Sequence, residues 1–207
     1  MQQGALAGVR IVDLTNVVFG SYGTSILGDL GADVIKIEPP ATELEAGGDI
    51  MRHPGHPPEG SPPGMGPIFL TINRNKRSIA LDLATPGGRE AVQALIATAD
   101  VFASNIRMAA LERLDLDYRA VAAIKRDIVY THAAGYGSGG PDHDKPAYDD
   151  VIQAQCGLAG LWSRVNGGDP RFAPSIIADK TSGLFMAYAI LAALFHRERT
   201  GEGRVRP

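Results

Sequence analysis

The stretch RIVDLTNVVFGSYGTSILGDLGADVIKI, residues 10–37, decides the fold class. Residues 10–14 form a short apolar run that predicts a strand, and residues 21–30 predict a short helix. A second apolar run, residues 34–37, predicts another strand. Two strands joined through a helix in this way run parallel. The stretch therefore predicts a parallel sheet with helices packed on it.

The same alternation continues along the chain. Thr85 and Pro86 have the residue types of an N-cap and a first helical residue, and they predict a helix that reaches about Ala97. Two short helices are expected before the last strand. Three later apolar runs predict further strands, at residues 78–82, 101–103 and 128–131. We therefore expect an α/β fold, in which a Rossmann-like parallel sheet is covered by helices.

Composition and charge exclude several classes of protein. The net charge of −3 does not suggest a nucleic-acid surface, and a single cysteine excludes an internal disulfide framework and a multi-cysteine metal site. The first residues lack the basic and apolar regions of a secretory signal. The longest apolar stretch, residues 184–195, is too short to span a bilayer. We expect a cytoplasmic protein with neither a membrane nor a nucleic acid as its partner.

Residues 39–67 form a long segment that is rich in glycine and proline and has no periodicity. Such a segment is too long for a simple connection, so it is expected to be a functional loop or a mobile one. Near the other end of the chain, a nearly all-apolar helix is predicted from about Thr181 to Phe195. Gly201 suits the C-terminal end of that helix.

Three motifs that often carry chemistry have plainer explanations here. Residues 135–140 (GYGSGG) fit the spacing G-x-G-x-x-G, but the proline that follows them prevents the helix that a dinucleotide site needs, so no nicotinamide or flavin is expected. His53 and His56 have no third ligand nearby and are expected in a surface loop, without a metal. Cys156 is interpreted as a buried, inert thiol.

Asp179 lies between an apolar stretch and the predicted apolar helix. Its residue type fits a helix N-cap, with Ser182 three positions later. It also fits a catalytic carboxylate, because the positive end of a helix dipole would keep it ionised even when it is partly buried. An ionised carboxylate that is shielded from water is what an attack on a thioester requires. The two interpretations are compatible.

Several stretches together resemble the class III coenzyme A transferases, also called the CaiB/BaiF family, which includes formyl-CoA transferase, L-carnitine CoA-transferase and alpha-methylacyl-CoA racemase. The likeness covers the whole chain in the right order. It rests on residues 6–15 (LAGVRIVDLT), 30–40 (LGADVIKIEPP), 48–52, 75–83 (NKRSIALDL), 105–107 (NIR), 135–137 (GYG) and 191–203 (LAALFHRERTGEG).

The resemblance implies a mechanism and a set of site residues. The family's catalytic aspartate falls on Asp179, which would attack an acyl-CoA to give a mixed anhydride and then an aspartyl-CoA thioester. Acyl-CoA and a small carboxylic acid are the implied substrates. The family's coenzyme A contacts fall on Val18, Phe19, Leu81, Asp82, Leu83, Ala84, Asn105, Ile106, Arg107, Arg113, Ala133, Ala134, Gly135 and Tyr136.

The chain also departs from the family pattern. Some relatives carry basic side chains where this chain has Pro39, Ala84 and Ala134, so Arg107 and Arg113 are expected to carry more of the phosphate binding. The racemase branch uses a histidine at the position of Tyr148. A tyrosine is a poor base near neutral pH, which favours transfer over racemisation. Otherwise Tyr148 is interpreted as an aromatic packed at a helix start.

By this resemblance residues 1–207 are the N-terminal part of the family's large domain, without its small domain or its glycine-rich lid. The isolated chain is therefore expected to be poorly active or inactive, because nothing would exclude water from the anhydride. The full enzyme is expected to be an interlocked homodimer. Two alternatives stay open at this point: a racemase or epimerase of 2-methylacyl-CoA, and a non-catalytic module that binds coenzyme A.

Overall fold

The computed structural model describes residues 4–43, 45–203 and 205–206. Within this part of the chain six strands form one sheet, in which each strand runs parallel to its neighbours. The strands are β1 (Arg10–Leu14), β2 (Asp33–Glu38), β3 (Lys76–Ala80), β4 (Val101–Ser104), β5 (Val129–His132) and β6 (Val205–Arg206). Their order across the sheet is β3-β2-β1-β4-β5-β6. The predicted α/β fold with a parallel sheet is confirmed.

Helices connect the strands and cover both faces of the sheet. They are α1 (Phe19–Asp29), α2 (Pro67–Ile72), α3 (Pro86–Ala97), α4 (Met108–Arg113), α5 (Tyr118–Ile124), α6 (Asp149–Gln155), α7 (Leu158–Asn166) and α8 (Ile177–Thr200). The predicted start of α3 is confirmed, because the Thr85 side chain accepts a hydrogen bond from the Gly88 N–H and Pro86 is the first helical residue. Gly201 ends α8 with a left-handed φ of 71°, also as predicted.

The register of the strands gives each face of the sheet its own apolar core. Ile11 lies beside Val34 and Val101, and these side chains join the core beneath α1 and α8. The next residues in register, Val12 and Phe102, point to the opposite face and pack with α3, α4 and α5. Successive strand residues face opposite ways, so the continuous apolar runs of the sequence fill both cores.

The long segment after β2 is tied back to the end of that strand. The Arg52 guanidinium donates to both carboxylate oxygens of Glu38, at 2.7 and 2.6 Å, and lies 3.7 Å from the centre of the Phe69 ring. The Asp49 N–H also donates to Glu38, at 2.7 Å. Burial opposes the ionisation of Glu38, but these hydrogen bonds and one from Ser78 lower its pKa to about 2. The segment contains a single 3-10 turn, Ile50–Arg52, and Leu44 within it lies outside the described residues.

Helix α8 packs closely against α1 because both carry glycine at the crossing. A Cβ added to Gly183 would lie 2.9 Å from the Phe19 carbonyl oxygen, and one added to Gly23 would lie 2.9 Å from the Gly183 carbonyl oxygen.

Helix α8 has 24 residues and is longer than the helix that the apolar stretch predicted. By length and composition alone it could cross a membrane. Met186, Ala187 and Ile190 are buried in the core beneath it, whereas Phe185, Tyr188 and Phe195 are exposed.

Three local predictions are wrong. Cys156 is exposed, because it ends α6 at the protein surface. Tyr148 precedes α6 but is 61% exposed, so its ring is not packed at the helix start. The apolar helix begins at Ile177 and not at Thr181, which moves Asp179 into the helix. His53 and His56 are exposed, as predicted.

Candidate active site

The loops that follow the strands meet at one edge of the sheet, because all the strands run in the same direction. Val18 and Phe19 follow β1, Leu81 to Ala84 follow β3, Asn105 to Arg107 follow β4, and Ala133 to Tyr136 follow β5. The structure therefore brings the predicted coenzyme A contacts to the carboxyl edge of the sheet, where open α/β sheets commonly bind ligands. Arg113, the last residue of α4, is separated from this edge by that short helix.

The turn between β1 and α1 is held in a strained conformation. Val17 has a φ of +58°, which costs a β-branched residue about 1–3 kcal/mol. The Asn16 N–H donates to Asn105 Oδ1 at 2.9 Å, and Asn105 Nδ2 donates to the Asn16 carbonyl at 2.8 Å. The Val17 N–H donates to Asp49 Oδ1 at 3.3 Å. At about 0.5–1.5 kcal/mol each, these hydrogen bonds are sufficient to offset the strain.

Two buried ion pairs lie beneath this turn. Lys36 Nζ is 2.9 Å from Asp49 Oδ2, and Lys76 Nζ is 2.9 Å from Asp13 Oδ2, with all four side chains at most 2% exposed. Lys36 also donates to the carbonyl of Thr15 at 2.6 Å. Burial lowers the pKa of Lys76 to about 8, although Asp13 opposes the shift. Burial also resists the ionisation of Asp13, but the two lysines outweigh it and lower the pKa of that carboxyl, so this pair is ionised at pH 7.

The loop after β3 is shaped by its own polar groups. Asp82 Oδ1 accepts a hydrogen bond from the Ala84 N–H at 2.9 Å, and Arg89 Nη1 donates to the carbonyls of Leu83 and Ala84 at 3.2 and 2.9 Å. Sequence reasoning missed Arg89, because a helical arginine gives no sign that it turns back to a loop. Beside the loop is a cavity of about 400 Å³, whose lining includes Pro39, Gly48, Arg52, Ser78 and Ala80.

Arg107 and Arg113 have exposed side chains. Within the described part of the chain, neither guanidinium makes a hydrogen bond or an ion pair. Both are therefore available to an anionic ligand, and a guanidinium can bind a phosphate through two parallel hydrogen bonds.

The loop after β5 approaches the segment before α6 very closely. A Cβ added to Gly135 would lie 2.0 Å from the Ala147 Cβ, so the backbone requires glycine there. Residues 133–148 contain no helix, and α6 begins only at Asp149. The glycine motif therefore lacks the adjoining helix N-terminus that a dinucleotide site uses. No group of three or more possible metal ligands lies within the described residues.

Asp179 is the third residue of α8, and its predicted role as N-cap is wrong. Ile176 occupies the cap position, and its apolar side chain cannot accept a hydrogen bond. The Asp179 N–H instead donates to Asp149 Oδ1 at 2.9 Å. Burial and the nearby charge of Asp149 raise the pKa of Asp179 to about 6. The carboxyl pKa is thus raised, opposite to the effect predicted from the helix dipole. At pH 7 the group is still mostly ionised.

Asp179 lies on the side of α8 that faces the start of α1. Residues four apart share a helix face, and Gly183, four residues later, packs on the Phe19 carbonyl. Ile177, two residues before Asp179, points to the other side of the helix. There it lines an apolar cavity of about 320 Å³ together with Leu158, Leu161, Trp162, Val165, Asn166 and Ala173.

Asp149 and Gln153 complete the surroundings of Asp179, and sequence reasoning missed both. Asp149 is 9% exposed, and its Oδ2 accepts a hydrogen bond from Gln153 Nε2 at 2.5 Å. Gln153 Oε1 accepts the Ala173 N–H at 2.8 Å. Gln153 therefore ties α6 to the segment that leads into α8. The only local signal was the acidic pair at positions 149 and 150, which does not reveal a partner 30 residues away.

Replacing Asp149 with asparagine is expected to lower the pKa of Asp179, because it removes the nearby negative charge. The pKa should remain above the ordinary value of about 3.9, because burial, the larger cause of the upward shift, is unchanged. Carbon-13 NMR titration of the Asp179 carboxyl group measures this shift. Asp150→Asn, on the exposed neighbour, is the matched control. A pKa of Asp179 that stays near 6 in Asp149→Asn contradicts the pairing.

Comparison with known proteins reveals relatives that are CoA-transferases. The model of CoA-transferase family III matches residues 6–205. The chain is 36% identical over 206 residues to the succinyl-CoA:mesaconate CoA-transferase of Haloarcula hispanica, covering 97% of this chain and 50% of the relative. It is 39% identical over 198 residues to the succinyl-CoA:glutarate CoA-transferase of Mus musculus, covering 96% of this chain and 43% of the relative.

A solved structure agrees with these matches. A CaiB/BaiF family protein from Brucella suis superposes with a TM-score of 0.89 at 35% identity, covering 99% of this chain and 52% of that one. The chain thus spans about half the length of the curated relatives it matches.

Proposed function

The chain belongs to CoA-transferase family III, and on that premise we propose that its protein moves coenzyme A from an acyl-CoA to a carboxylic acid. The observation that carries the proposal is the position of Asp179. It lies one helical turn before Gly183, which packs on the start of α1, the helix that follows β1 at the carboxyl edge of the sheet. Its carboxyl group is partly buried and has a pKa of about 6. Such a carboxylate is mostly ionised at pH 7 and incompletely hydrated, as a nucleophile toward a thioester must be.

In the proposed reaction the Asp179 carboxylate attacks the thioester carbonyl and expels the coenzyme A thiolate, which leaves a mixed anhydride. The thiolate then attacks the aspartyl carbonyl of the anhydride. This step releases the first acid as a carboxylate and leaves an aspartyl-CoA thioester. The acceptor carboxylate attacks that thioester and expels the thiolate, which leaves a second mixed anhydride. The thiolate finally attacks the acceptor carbonyl of this anhydride and displaces the Asp179 carboxylate. The new acyl-CoA forms and Asp179 is regenerated, so the sequence of exchanges needs no other reactant.

We propose that coenzyme A lies along the carboxyl edge of the sheet. Its phosphates are placed at the unpaired guanidinium groups of Arg107 and Arg113, and part of the ligand enters the cavity lined by Ser78 and Ala80, directly before the loop of Leu81 to Ala84. The names of two relatives include mesaconate and glutarate. We therefore infer that the acceptor here is a small carboxylic acid. The cytoplasmic location stays a prediction from the sequence composition, and the interlocked homodimer stays a prediction from the resemblance.

Replacing Arg107 or Arg113 with alanine is expected to weaken coenzyme A binding about tenfold, the effect of losing one charge-assisted phosphate contact. Isothermal titration with coenzyme A at fixed ionic strength measures the change. Arg126→Ala is the matched control, because this exposed arginine precedes β5 and so lies at the opposite edge of the sheet. Equal affinities in Arg107→Ala, Arg113→Ala and Arg126→Ala contradict the proposed phosphate positions.

The proposed function is tested on the full-length protein, because the isolated chain is expected to be poorly active or inactive. This protein is incubated with succinyl-CoA or acetyl-CoA and a set of acids that includes oxalate, glutarate and mesaconate. Mass spectrometry should detect the new acyl-CoA of at least one acceptor. Deuterium entering the 2-position of a 2-methylacyl-CoA, without any transfer, identifies a racemase instead. Coenzyme A binding without either reaction identifies a binding module. Each of the last two results contradicts the proposal.

A further inference from the structure

The strained β1–α1 turn contains a residue type that disfavours the conformation it adopts. Val17 has a left-handed φ of 58°, and a β-branched side chain is among the least suited to that region. Residues held in this way persist only when their surroundings fix them. The contacts that fix Val17 are therefore necessary to the shape of the turn.

Asn105, in the loop after β4, makes most of the hydrogen bonds that hold the turn. Its Oδ1 accepts the Asn16 N–H at 2.9 Å, and its Nδ2 donates to the Asn16 carbonyl at 2.8 Å. The carboxamide thus pairs with both backbone groups of one residue, as a neighbouring strand would. One N–H and one lone pair are left to it, so half of its hydrogen-bonding capacity is already used.

The opposite side of the turn rests on Asp49. The Val17 N–H donates to Asp49 Oδ1 at 3.3 Å, and Asp49 Oδ2 is 2.9 Å from the buried ammonium group of Lys36. The contact with Lys36 holds Asp49 in place independently of Asn105. Asp49 and Asn105 therefore hold the turn from two separate parts of the chain.

The turn also adjoins the proposed nucleophile. Phe19 begins α1 directly after the turn, and its carbonyl packs against Gly183 of α8. Gly183 lies one helical turn beyond Asp179 on the same face. A change in the turn would therefore move backbone groups next to the reacting carboxylate.

We propose that Asn105 is a positioning residue, whose carboxamide holds the strained Asn16–Val17 turn against the face of α8 that carries Asp179. In this role Asn105 does not itself contact coenzyme A. The proposal rests on the proposed function only for the identity of the ligand, coenzyme A. Asn105 acts through the turn, so removing the strain in the turn removes the need for Asn105. Glycine adopts a positive φ without cost, so Val17→Gly provides that relief.

The test measures the effect of Asn105→Ala on the dissociation constant for coenzyme A in two backgrounds, with valine and with glycine at position 17. We expect about a tenfold loss of affinity in the valine background, because only a fraction of the molecules then keeps the competent turn. In the glycine background the loss should be smaller than about threefold. Asn166→Ala, which removes an exposed carboxamide from α7, should leave the affinity unchanged.

Amide hydrogen exchange at residue 17 supplies a readout that needs no ligand. The acceptor of this N–H is Asp49, which the substitution leaves in place. Asn105→Ala should accelerate its exchange about tenfold in the valine background and much less in the glycine background.

An equal loss of affinity in both backgrounds means that Asn105 contacts the ligand directly and overturns the proposal. Unchanged exchange at Val17 in Asn105→Ala overturns it as well. If the protein with its native residues fails to bind coenzyme A, the proposed function is wrong, and the exchange experiment alone then decides whether Asn105 holds the turn.

Discussion

Replacing Asp179 with asparagine is expected to abolish the exchange of labelled coenzyme A into an acyl-CoA. The carboxamide has nearly the shape of a carboxyl group, but its uncharged oxygen is too weak a nucleophile to open a thioester. The exchange needs only the anhydride, so it reports on the first covalent step without an acceptor acid. We expect a fall in rate of about 10³-fold or more, as when other catalytic nucleophiles are removed.

The same substitution is expected to stabilise the fold at neutral pH. The pKa of Asp179 is raised to about 6 by burial and by Asp149, so the folded state disfavours the charged form. Above pH 6 the native chain carries this unfavourable charge. The cost decreases as the pH falls from about 6 towards the carboxyl pKa of the unfolded chain, about 3.9, and it is absent below that pH, where both states are protonated.

The gain should be modest, because solvent screens a carboxyl group that is only half-buried and the helix dipole favours an acidic residue in the first turn of α8. We expect Asp179→Asn to raise Tm by a few degrees at pH 7.5 and by much less at pH 4.5. Thermal unfolding at both pH values measures the difference. A variant less stable than the native chain at pH 7.5 contradicts the account of the carboxylate's environment.

Replacing Lys76 with methionine is expected to have the largest effect on stability. The side chain of Asp13 is fully buried and pairs with Lys76 Nζ at 2.9 Å. Methionine has a similar length but no charge, so Asp13 would lose its nearest positive charge, with Lys36 as the remaining one. Breaking one side of a buried ion pair costs about 3–5 kcal/mol, which is a large share of the stability of a typical domain.

The matched control for this prediction is Arg77→Met on the same strand. Arg77 is 63% exposed and pairs with Asp33 at the surface, where an ion pair contributes less than about 1 kcal/mol. Urea unfolding of the two variants compares the sites directly. A loss in Lys76→Met no larger than that in Arg77→Met contradicts the assignment of Asp13 and Lys76 as an ionised buried pair.

The sequence was sufficient to predict most of the sheet and its helices, because the signals are local. The apolar run of β1, the N-cap at Thr85 and the terminal glycine at position 201 each act within a few residues. Helices α2 and α7 were missed. The former is short and follows a proline-rich segment, and the latter lies among glycine and charged residues that give no clear periodicity.

Only those parts of the candidate site whose location follows from the strand order and direction could be predicted from the sequence. Once the strands are parallel, Asn105 and Ala133 must lie at the same edge of the sheet. The surroundings of Asp179 were not predictable, because Asp149 is 30 residues away and their contact depends on how α6 packs on α8. For the same reason the prediction of an N-cap failed, since the cap depended on a helix boundary that lay four residues earlier.

The central claim is that Asp179 forms a covalent thioester with coenzyme A, and trapping that intermediate tests it most directly. The full-length protein is incubated with an acyl-CoA, quenched with hydroxylamine and digested, and the peptide that contains Asp179 is analysed by mass spectrometry. We expect a hydroxamate on Asp179 that requires the acyl-CoA and is absent from Asp179→Asn. A protein that transfers coenzyme A while Asp179 remains unmodified, or that carries the hydroxamate on another carboxylate, would contradict the account.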